Sequence, residues 1–248
     1  SLDEAVDNFK MVRPNIGLFA SQHFNDRLAV QIGVQNFTLT GDDALNTRES
    51  LRERNLNFRN NVWEIALRGE FYLLPFDPDR SKLPFTIYAS TGVAVFFHNP
   101  KAYYAGNYYA LRPLGTEGQG LPSFPDRKPY SLTQIAIPVI GGLKYTVGKG
   151  VNVFIEFGPR FTFTDYLDDL SNTYAVVNEL RYYKGDLAVE LSDRRLTKGS
   201  EPKKYPDNQQ RGNPRSKDMY FTGLLGVSFN MDDFFGLELV NKVKCPTF

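Results

Sequence analysis

The stretch SLTQIAIPVIGGLKYTVGKGVNVFIEFGPRFTFTD, residues 131–165, decides the fold class of this chain. After a Gly-Lys-Gly turn, apolar side chains occupy every second position from Val151 to Phe157, and again at Phe161 and Phe163. The positions between them are mostly polar. Alternation with a period of two residues is a property of β-strands. The stretch therefore predicts a β-hairpin with two long arms.

The same alternation recurs along most of the chain and predicts seven strands in all. The other five lie at 14–23, 28–35, 59–74, 84–98 and 219–231. Short turns near positions 25, 79 and 149 alternate with long loops at 41–58, 99–129 and 166–218. Transmembrane barrels have this order, with short periplasmic turns and long extracellular loops. The hairpin arms are also long enough to cross a bilayer, which takes roughly 9 to 11 residues.

We therefore predict an all-β fold, namely an eight-stranded antiparallel transmembrane β-barrel. Residues 1–231 form the barrel with its extracellular loops, and residues 232–248 form a periplasmic C-terminal tail. Single-chain bacterial barrels have an even number of strands, so one strand remains to be placed. One alternative is an ascending strand upstream of residue 1. The other is a short, irregular strand within 236–244.

The face of the strands opposite the apolar one carries charged residues. Six of them would point into the barrel: Glu64, Arg68, Glu70, Lys144, Glu156 and Arg160. A narrow barrel interior is filled by side chains, so charges buried there should be paired, and three acidic against three basic groups satisfy this need. We predict an interior charge network. The opposite orientation, a soluble lipocalin-like barrel with an apolar interior, leaves the long loops unexplained.

Aromatic residues mark both ends of the predicted apolar face. One group comprises Trp63, Phe97, Phe161 and Phe221, and the other comprises Phe71, Phe85, Tyr145 and Phe229. Transmembrane barrels carry such aromatic girdles at the two membrane interfaces.

Two prolines break the strand rules inside the hairpin. Pro138 and Pro159 fall near each other across the two arms. Proline has no N–H to donate to a ladder, so we predict a bulge or local gap there.

Composition excludes several function classes. The 29 Lys and Arg residues nearly balance 28 Asp and Glu residues, so a nucleic-acid-binding surface is not indicated. His23 and His98 stand apart in the sequence, and no metal or cofactor site is predicted. The run Asp165, Asp168 and Asp169 lacks the spacing of a calcium loop, and we interpret it as turn residues of a solvated loop. We expect no enzymatic activity.

The tail is too apolar to be left in water. Its candidate partner-binding residues are Phe234, Phe235, Leu237, Leu239, Val243, Cys245 and Phe248. Such a patch should dock on the lower rim of the barrel or on a partner. Cys245 has no second cysteine in this chain, so it is a candidate for an intermolecular disulfide, with an unpaired thiol as the alternative.

Six stretches carry a family resemblance: LTGDDA (39–44), RNLNFRNNVWE (54–64), PLGTEGQGLPS (113–123), YSLTQIAIP (130–138), FTDYLDDLSNTY (163–174) and QRGNP (210–214). Through them the chain resembles the PorG-like outer-membrane barrels of the Bacteroidota type IX protein secretion system. The resemblance implies a non-enzymatic barrel that anchors a periplasmic ring of PorK-type and PorN-type proteins to the outer membrane. It also implies a role in secretion and gliding motility. The alternative is a small outer-membrane enzyme or surface binding protein that acts through its extracellular loops.

Overall fold

The fold, taken from a computed structural model, is built mainly of antiparallel strands; the structure describes residues 13–76, 84–148, 150–195 and 209–231. The strands are β1 (Asn15–His23), β2 (Leu28–Asp42), β3 (Asn57–Tyr72), β4 (Phe85–Phe97), β5 (Pro100–Tyr104), β6 (Asn107–Ala110), β7 (Thr133–Gly148), β8 (Val151–Thr162) and β9 (Met219–Phe229). The α-helices are α1 (Glu49–Arg54), α2 (Val177–Lys184) and α3 (Asp186–Ser192). Short 3-10 helices lie at Asp43–Leu45 and Arg112–Leu114.

Seven of the strands form the barrel wall as a simple meander. Their order is β1-β2-β3-β4-β7-β8-β9, and every neighbouring pair is antiparallel. The two remaining strands form a hairpin, β5–β6, which pairs with the upper end of β3. We call the end of the barrel with the long loops the upper end. The predicted antiparallel barrel of seven visible strands is confirmed.

The wall is nearly closed, with one seam between its first and last strands. Cα atoms of β1 and β9 come within 8 Å of each other, but the two strands share no ladder. Because the wall consists of seven strands of alternating direction, its first and last strands, β1 and β9, run in the same direction. An all-antiparallel closure therefore needs a strand of the opposite direction between them. Among the described residues no such strand is present.

The ladders are interrupted where the two prolines lie. Between β7 and β8, pairing runs to Pro138 opposite Arg160 and resumes at Gly141 opposite Phe157. The register is the same on both sides of the interruption, so this is a local gap, as predicted. The Thr91 hydroxyl donates a hydrogen bond to the Pro138 carbonyl at 2.9 Å, so this carbonyl has a partner at the gap.

The outer surface of the wall is apolar. On every barrel strand the outward side chains include large exposed hydrophobic residues, for example Leu18, Leu67, Val93 and Leu225. Both predicted aromatic groups also point outward, and each of the eight rings is 45% to 54% exposed. The alternation of the sequence thus places the apolar face outside and the polar face inside.

The long loops fold into a cap over the upper end. Its apolar centre contains Leu121, Ala175, Leu180, Ala188 and Val189. The longest loop, 166–218, contains the helix pair α2 and α3. The first long loop is shorter than predicted, because β2 continues to Asp42 and β3 begins at Asn57. The β5–β6 hairpin, within a stretch interpreted as irregular loop, was not predicted.

Candidate functional site

The barrel interior holds all six of the charged residues that the alternation assigned to it, and all six are buried. At the upper level, Glu64 of β3 lies 3.6 Å from the Arg160 Nε of β8. The Glu64 carboxylate also accepts hydrogen bonds from Gln35 and, at 2.5 Å, from the Tyr220 hydroxyl. Arg160 donates in turn to the Thr222 hydroxyl. This level therefore connects strands on both sides of the seam.

At the middle level, Arg68 and Glu156 form a two-pronged ion pair across the interior. Arg68 Nη1 lies 3.0 Å from Glu156 Oε2, and Arg68 Nη2 lies 3.2 Å from Oε1. Arg68 also donates to the Gln31 side chain, and the Tyr88 hydroxyl donates to Glu156 at 2.7 Å. Such pairs are geometrically specific because two parallel N–H groups meet two oxygens.

At the lower level, Lys144 is surrounded by aromatic rings. Its ammonium donates to the Tyr72 hydroxyl at 2.8 Å and lies 5.1 to 5.5 Å from the ring centres of Tyr72, Phe76 and Tyr88. The Tyr72 hydroxyl in turn donates to Glu70 at 2.5 Å. We refer to the side chains of the three levels together as the barrel network.

Both ends of the interior are filled by loop residues. Leu167, from the loop after β8, packs with Phe37, Phe96 and Tyr220 in the upper barrel. Its carbonyl accepts a hydrogen bond from Asn60 at 2.8 Å. At the lower end, the Phe76 ring packs with Ala29, Tyr72 and Tyr88 in a buried cluster. Leu167 and Phe76 therefore close the two ends of the interior.

A second set of buried charges lies in the cap, and we call it the loop cluster: Thr116, Glu117, Tyr130, Asp169 and Arg211. Both Glu117 oxygens accept backbone N–H groups, from Ser171 and from Asn172, each at 2.9 Å. Carboxylates that accept backbone N–H groups bind them strongly because the acceptor is charged. Glu117 thus fixes the backbone of a loop more than fifty residues further along the chain.

Arg211 occupies the centre of the loop cluster. Its Nη1 lies 3.2 Å from a Glu117 oxygen and 3.8 Å from an Asp169 oxygen, and its Nε donates to the Ser192 carbonyl at 3.2 Å. Asp169 accepts hydrogen bonds from the hydroxyls of Thr116 and Tyr130. Arg211 therefore joins the loop before β7 to two other segments of its own loop, between β8 and β9, through one guanidinium.

Glycines explain the unusual sequence around this cluster. Gly115, Gly118 and Gly120 adopt positive φ angles of 57°, 85° and 80°, which other L-residues rarely adopt. Gly212 packs directly on an earlier segment of its own loop, because a Cβ at that position would lie 2.4 Å from the Ser171 nitrogen. Residues 115–119, in the middle of the long loop predicted at 99–129, are therefore buried.

The acidic run after β8 corrects one prediction. Asp165 and Asp169 are buried, so this segment is not a solvated loop. Asp168 does perform the turn role expected of it, since it accepts the backbone N–H of Leu170 at 3.0 Å. Asp218, which immediately precedes β9, accepts the backbone N–H of Leu167 at 2.9 Å and so ties the two ends of the long loop together. Burial, more than any neighbouring charge, raises the pKa of both carboxyls.

The two histidines take part in packing and hydrogen bonding. His98 is buried, and its Nδ1 lies 3.2 Å from Asn60 Nδ2. Its other ring nitrogen lies 3.2 Å from the Ser131 carbonyl, and His23 stacks on Tyr72. Within the described residues, no group of three or more His, Cys, Asp or Glu side chains is placed to hold a metal ion. None of the helices described there is both long and apolar enough to cross a membrane.

The predicted partner-binding residues lie outside the described residues. They are Phe234, Phe235, Leu237, Leu239, Val243, Cys245 and Phe248. The alternative strand at 236–244 lies outside them as well.

Four of the stretches that carry the family resemblance meet in the loop cluster. Thr116 and Glu117 come from LGTEGQG, Asp169 comes from FTDYLDD, and Arg211 comes from QRGNP. Tyr130 begins YSLTQI. The loop cluster was not predicted from the sequence. The signal that could have identified it is the set of stretches that resemble the family, because four of them contain its residues.

Comparison with known families gives one match. Residues 6–188 match the family described as "Domain of unknown function (DUF6089)". The chain belongs to this family. The DUF6089 match includes Glu117, Tyr130 and Asp169 of the loop cluster and ends before Arg211 and β9. No curated protein matches the chain. Among solved structures, the crystal structure of Neisserial surface protein A is similar over 60% of this chain and 69% of that chain, with 12% sequence identity and a TM-score of 0.34.

Proposed function

We propose that this protein is an integral β-barrel of the bacterial outer membrane. The single observation that carries the proposal is the outward apolar surface, which runs around the wall between two groups of exposed aromatic rings. In water, such a band would be unfavourable by about 25 cal/mol for each Å² of apolar area. In a bilayer the same band contacts hydrocarbon, and the aromatic rings lie at the interfaces.

The orientation follows from loop length. In this proposal the cap faces the cell exterior, and the short turns face the periplasm, as in other outer-membrane barrels. The tail 232–248 is then periplasmic, because β9 runs from the upper end to the lower end. β1 also begins at the upper end, so a periplasmic N-terminus would need the additional ascending strand that the sequence offers as one alternative. The tail and the lower turns form the surface that a periplasmic partner meets.

The filled interior favours a structural role over conduction. The barrel network occupies the interior, and Leu167 and Phe76 lie at its two ends. A porin interior, in contrast, is an open aqueous channel. We therefore infer that the protein is a non-enzymatic scaffold, which holds a binding surface for a partner at the membrane.

The specific role that we propose is in type IX protein secretion, where the barrel anchors a periplasmic ring of PorK-type and PorN-type proteins. The resemblance in six sequence stretches supports this role, and four of these stretches build the loop cluster. The apolar tail supplies candidate contacts, and Cys245 is a candidate for a disulfide to a partner.

A pull-down from detergent-solubilised outer membranes tests the role. A variant truncated after Asp232 should insert normally but lose co-purification of the ring, because it lacks the apolar residues of the tail. The matched control is Leu45→Ser in the first upper loop, which alters an exposed apolar residue at the opposite end of the barrel and should retain the ring. Retention of the ring by the truncated variant contradicts the role of the tail. Failure of the full-length protein to capture any ring component contradicts the secretion role.

A second candidate function is surface binding through the cap. The observation that favours it is the ordered structure of the loops, which expose Tyr182 (82%) and Tyr183 on α2. Exposed tyrosines are common in binding surfaces, because a rigid ring gives a large contact area. Replacing both tyrosines with serine should then abolish surface binding and leave ring capture unchanged. The secretion role, in contrast, does not require that surface binding be lost when the two tyrosines are replaced.

A further inference from the structure

A basic and aromatic patch lies on the outward face of the wall, at the upper end of β3. It consists of Arg59 of β3, Lys101 and Tyr103 of β5, and Tyr108 of β6, all of which are exposed. The Tyr103 and Tyr108 rings lie opposite each other in the hairpin, with their centres 5.2 Å apart. The guanidinium carbon of Arg59 lies 5.5 Å from the centre of the Tyr108 ring. We call these four residues the rim patch.

The two cations of the rim patch face each other across a ladder. Arg59 pairs directly with Lys101 in the register between β3 and β5. Like charges at directly opposite positions destabilise a sheet. In the part of the chain that the structure describes, neither cation forms an ion pair with a carboxylate. The fold therefore holds two uncompensated positive charges side by side, and an anion between them would relieve their repulsion.

The rim patch lies directly above the apolar band. Trp63 and Phe97, which belong to the upper aromatic group, are paired in the ladder between β3 and β4. Arg59 lies four residues before Trp63, and Lys101 lies four residues after Phe97. Four residues span about 13 Å along a strand, so both cations lie above these rings. The strands of such barrels are tilted, and long basic side chains can bend back toward an interface, so both charges can reach the headgroup layer.

We propose that the rim patch binds the phosphate group of an anionic lipid in the surrounding leaflet. The Arg59 guanidinium and the Lys101 ammonium supply charge-assisted hydrogen bonds to the phosphate oxygens. Tyr103 and Tyr108 supply rings of the kind that lie at headgroup level. The inference rests on the proposed membrane location and is independent of the role in secretion.

Native mass spectrometry of the full chain in a non-ionic detergent tests the proposal. The protein is mixed with equal amounts of phosphatidic acid and phosphatidylcholine, and bound lipid is counted. We expect preferential retention of phosphatidic acid, reduced about tenfold in the double variant Arg59→Gln/Lys101→Gln. The matched control is Arg215→Gln/Lys217→Gln, which removes two exposed charges from the loop before β9 and should retain the preference.

The outcomes distinguish a site for lipid phosphate from a site for free phosphate. They also distinguish a failure of the rim patch from a failure of the membrane location. Equal lipid retention by the wild type and the rim variant overturns the proposal. So does displacement of phosphatidic acid by an equal concentration of inorganic phosphate, which would indicate a site for free phosphate. If the double variant does not fold, the single variant Lys101→Gln should still weaken retention severalfold. Flotation with vesicles tests the membrane location separately, because a protein that floats without lipid preference contradicts only the rim patch.

Discussion

The barrel network and the loop cluster both bury ion pairs, but they hold them in different ways. In the barrel network, the partners are side chains on different strands, and the ladders fix the distance between those strands, as with Arg68 and Glu156. In the loop cluster, Glu117 binds backbone N–H groups of Ser171 and Asn172. There the ion pairs themselves fix the backbone. Loss of a charge should thus leave an unpaired charge in the barrel but release a segment in the cap.

The largest expected effect follows from Arg68→Leu in the barrel network. Glu156 would lose its ionic partner in a closed interior, and breaking a buried ion pair in this way costs about 3 to 5 kcal/mol. Urea unfolding of the protein in lipid vesicles measures the loss. Leu67→Val, on the outward side of the same strand, is the control and should change stability by less than about 1.5 kcal/mol. A loss below about 1 kcal/mol for Arg68→Leu would show that the network carries little stability.

A smaller effect on global stability is expected from Arg211→Leu in the loop cluster. Glu117 and Asp169 lose their cation, but the cap can open locally, which limits the cost to the barrel to about 1 kcal/mol. Hydrogen exchange should show lost protection in residues 165–174, with β3 and β4 unchanged. Arg215→Leu, an exposed arginine in the same loop, should leave the exchange pattern unaltered. Equal deprotection of cap and wall would mean that the two regions unfold together.

The smallest effect on the barrel wall is expected from pH, which should act on the cap alone. Burial raises the pKa of Asp168 to about 6 and of Asp218 to about 8, and each carboxylate lies in the field of other charges. A raised pKa in the folded state means that the folded cap binds protons more tightly than the open one. This stabilisation is complete below about pH 4 and is lost as the pH rises toward 8.

Hydrogen exchange of the cap, corrected for its intrinsic pH dependence, tests the effect. Protection of residues 165–170 should be about tenfold greater at pH 5 than at pH 8, which is about 1.4 kcal/mol. Asp218→Asn should remove most of the pH dependence of this protection. Asp186→Asn, which changes an exposed aspartate of α3, should preserve it. Greater protection at pH 8 than at pH 5 would reverse the assigned sign.

The barrel wall could be predicted from the sequence because strand alternation is a local signal. Apolar and polar positions alternate along wall strands of nine to sixteen residues, so each strand and its inward face can be identified without knowledge of its neighbours. The same signal placed Glu64, Arg68 and Glu156 in the interior. The gap at Pro138 followed equally well, because the missing N–H is a property of the residue itself.

The cap could not be predicted in the same way. Glu117 and Arg211 are 94 residues apart in the chain, and each stands in a polar, glycine-containing stretch that has the composition of a solvated loop. Their burial depends on long-range pairing, which has no periodic pattern. The β5–β6 hairpin is similarly hidden, because it starts at a proline and its strands have five and four residues.

The seam between β1 and β9 gives the barrel wall a direction of mechanical weakness. A sideways load is borne by backbone hydrogen bonds at each of the six junctions between neighbouring wall strands. At the seam, where β1 and β9 run the same way and share no ladder, no ladder hydrogen bonds between the described strands carry that load. A lateral pull would separate these two strands first, and the wall would open along one fixed line while the rest of the sheet moved as a unit.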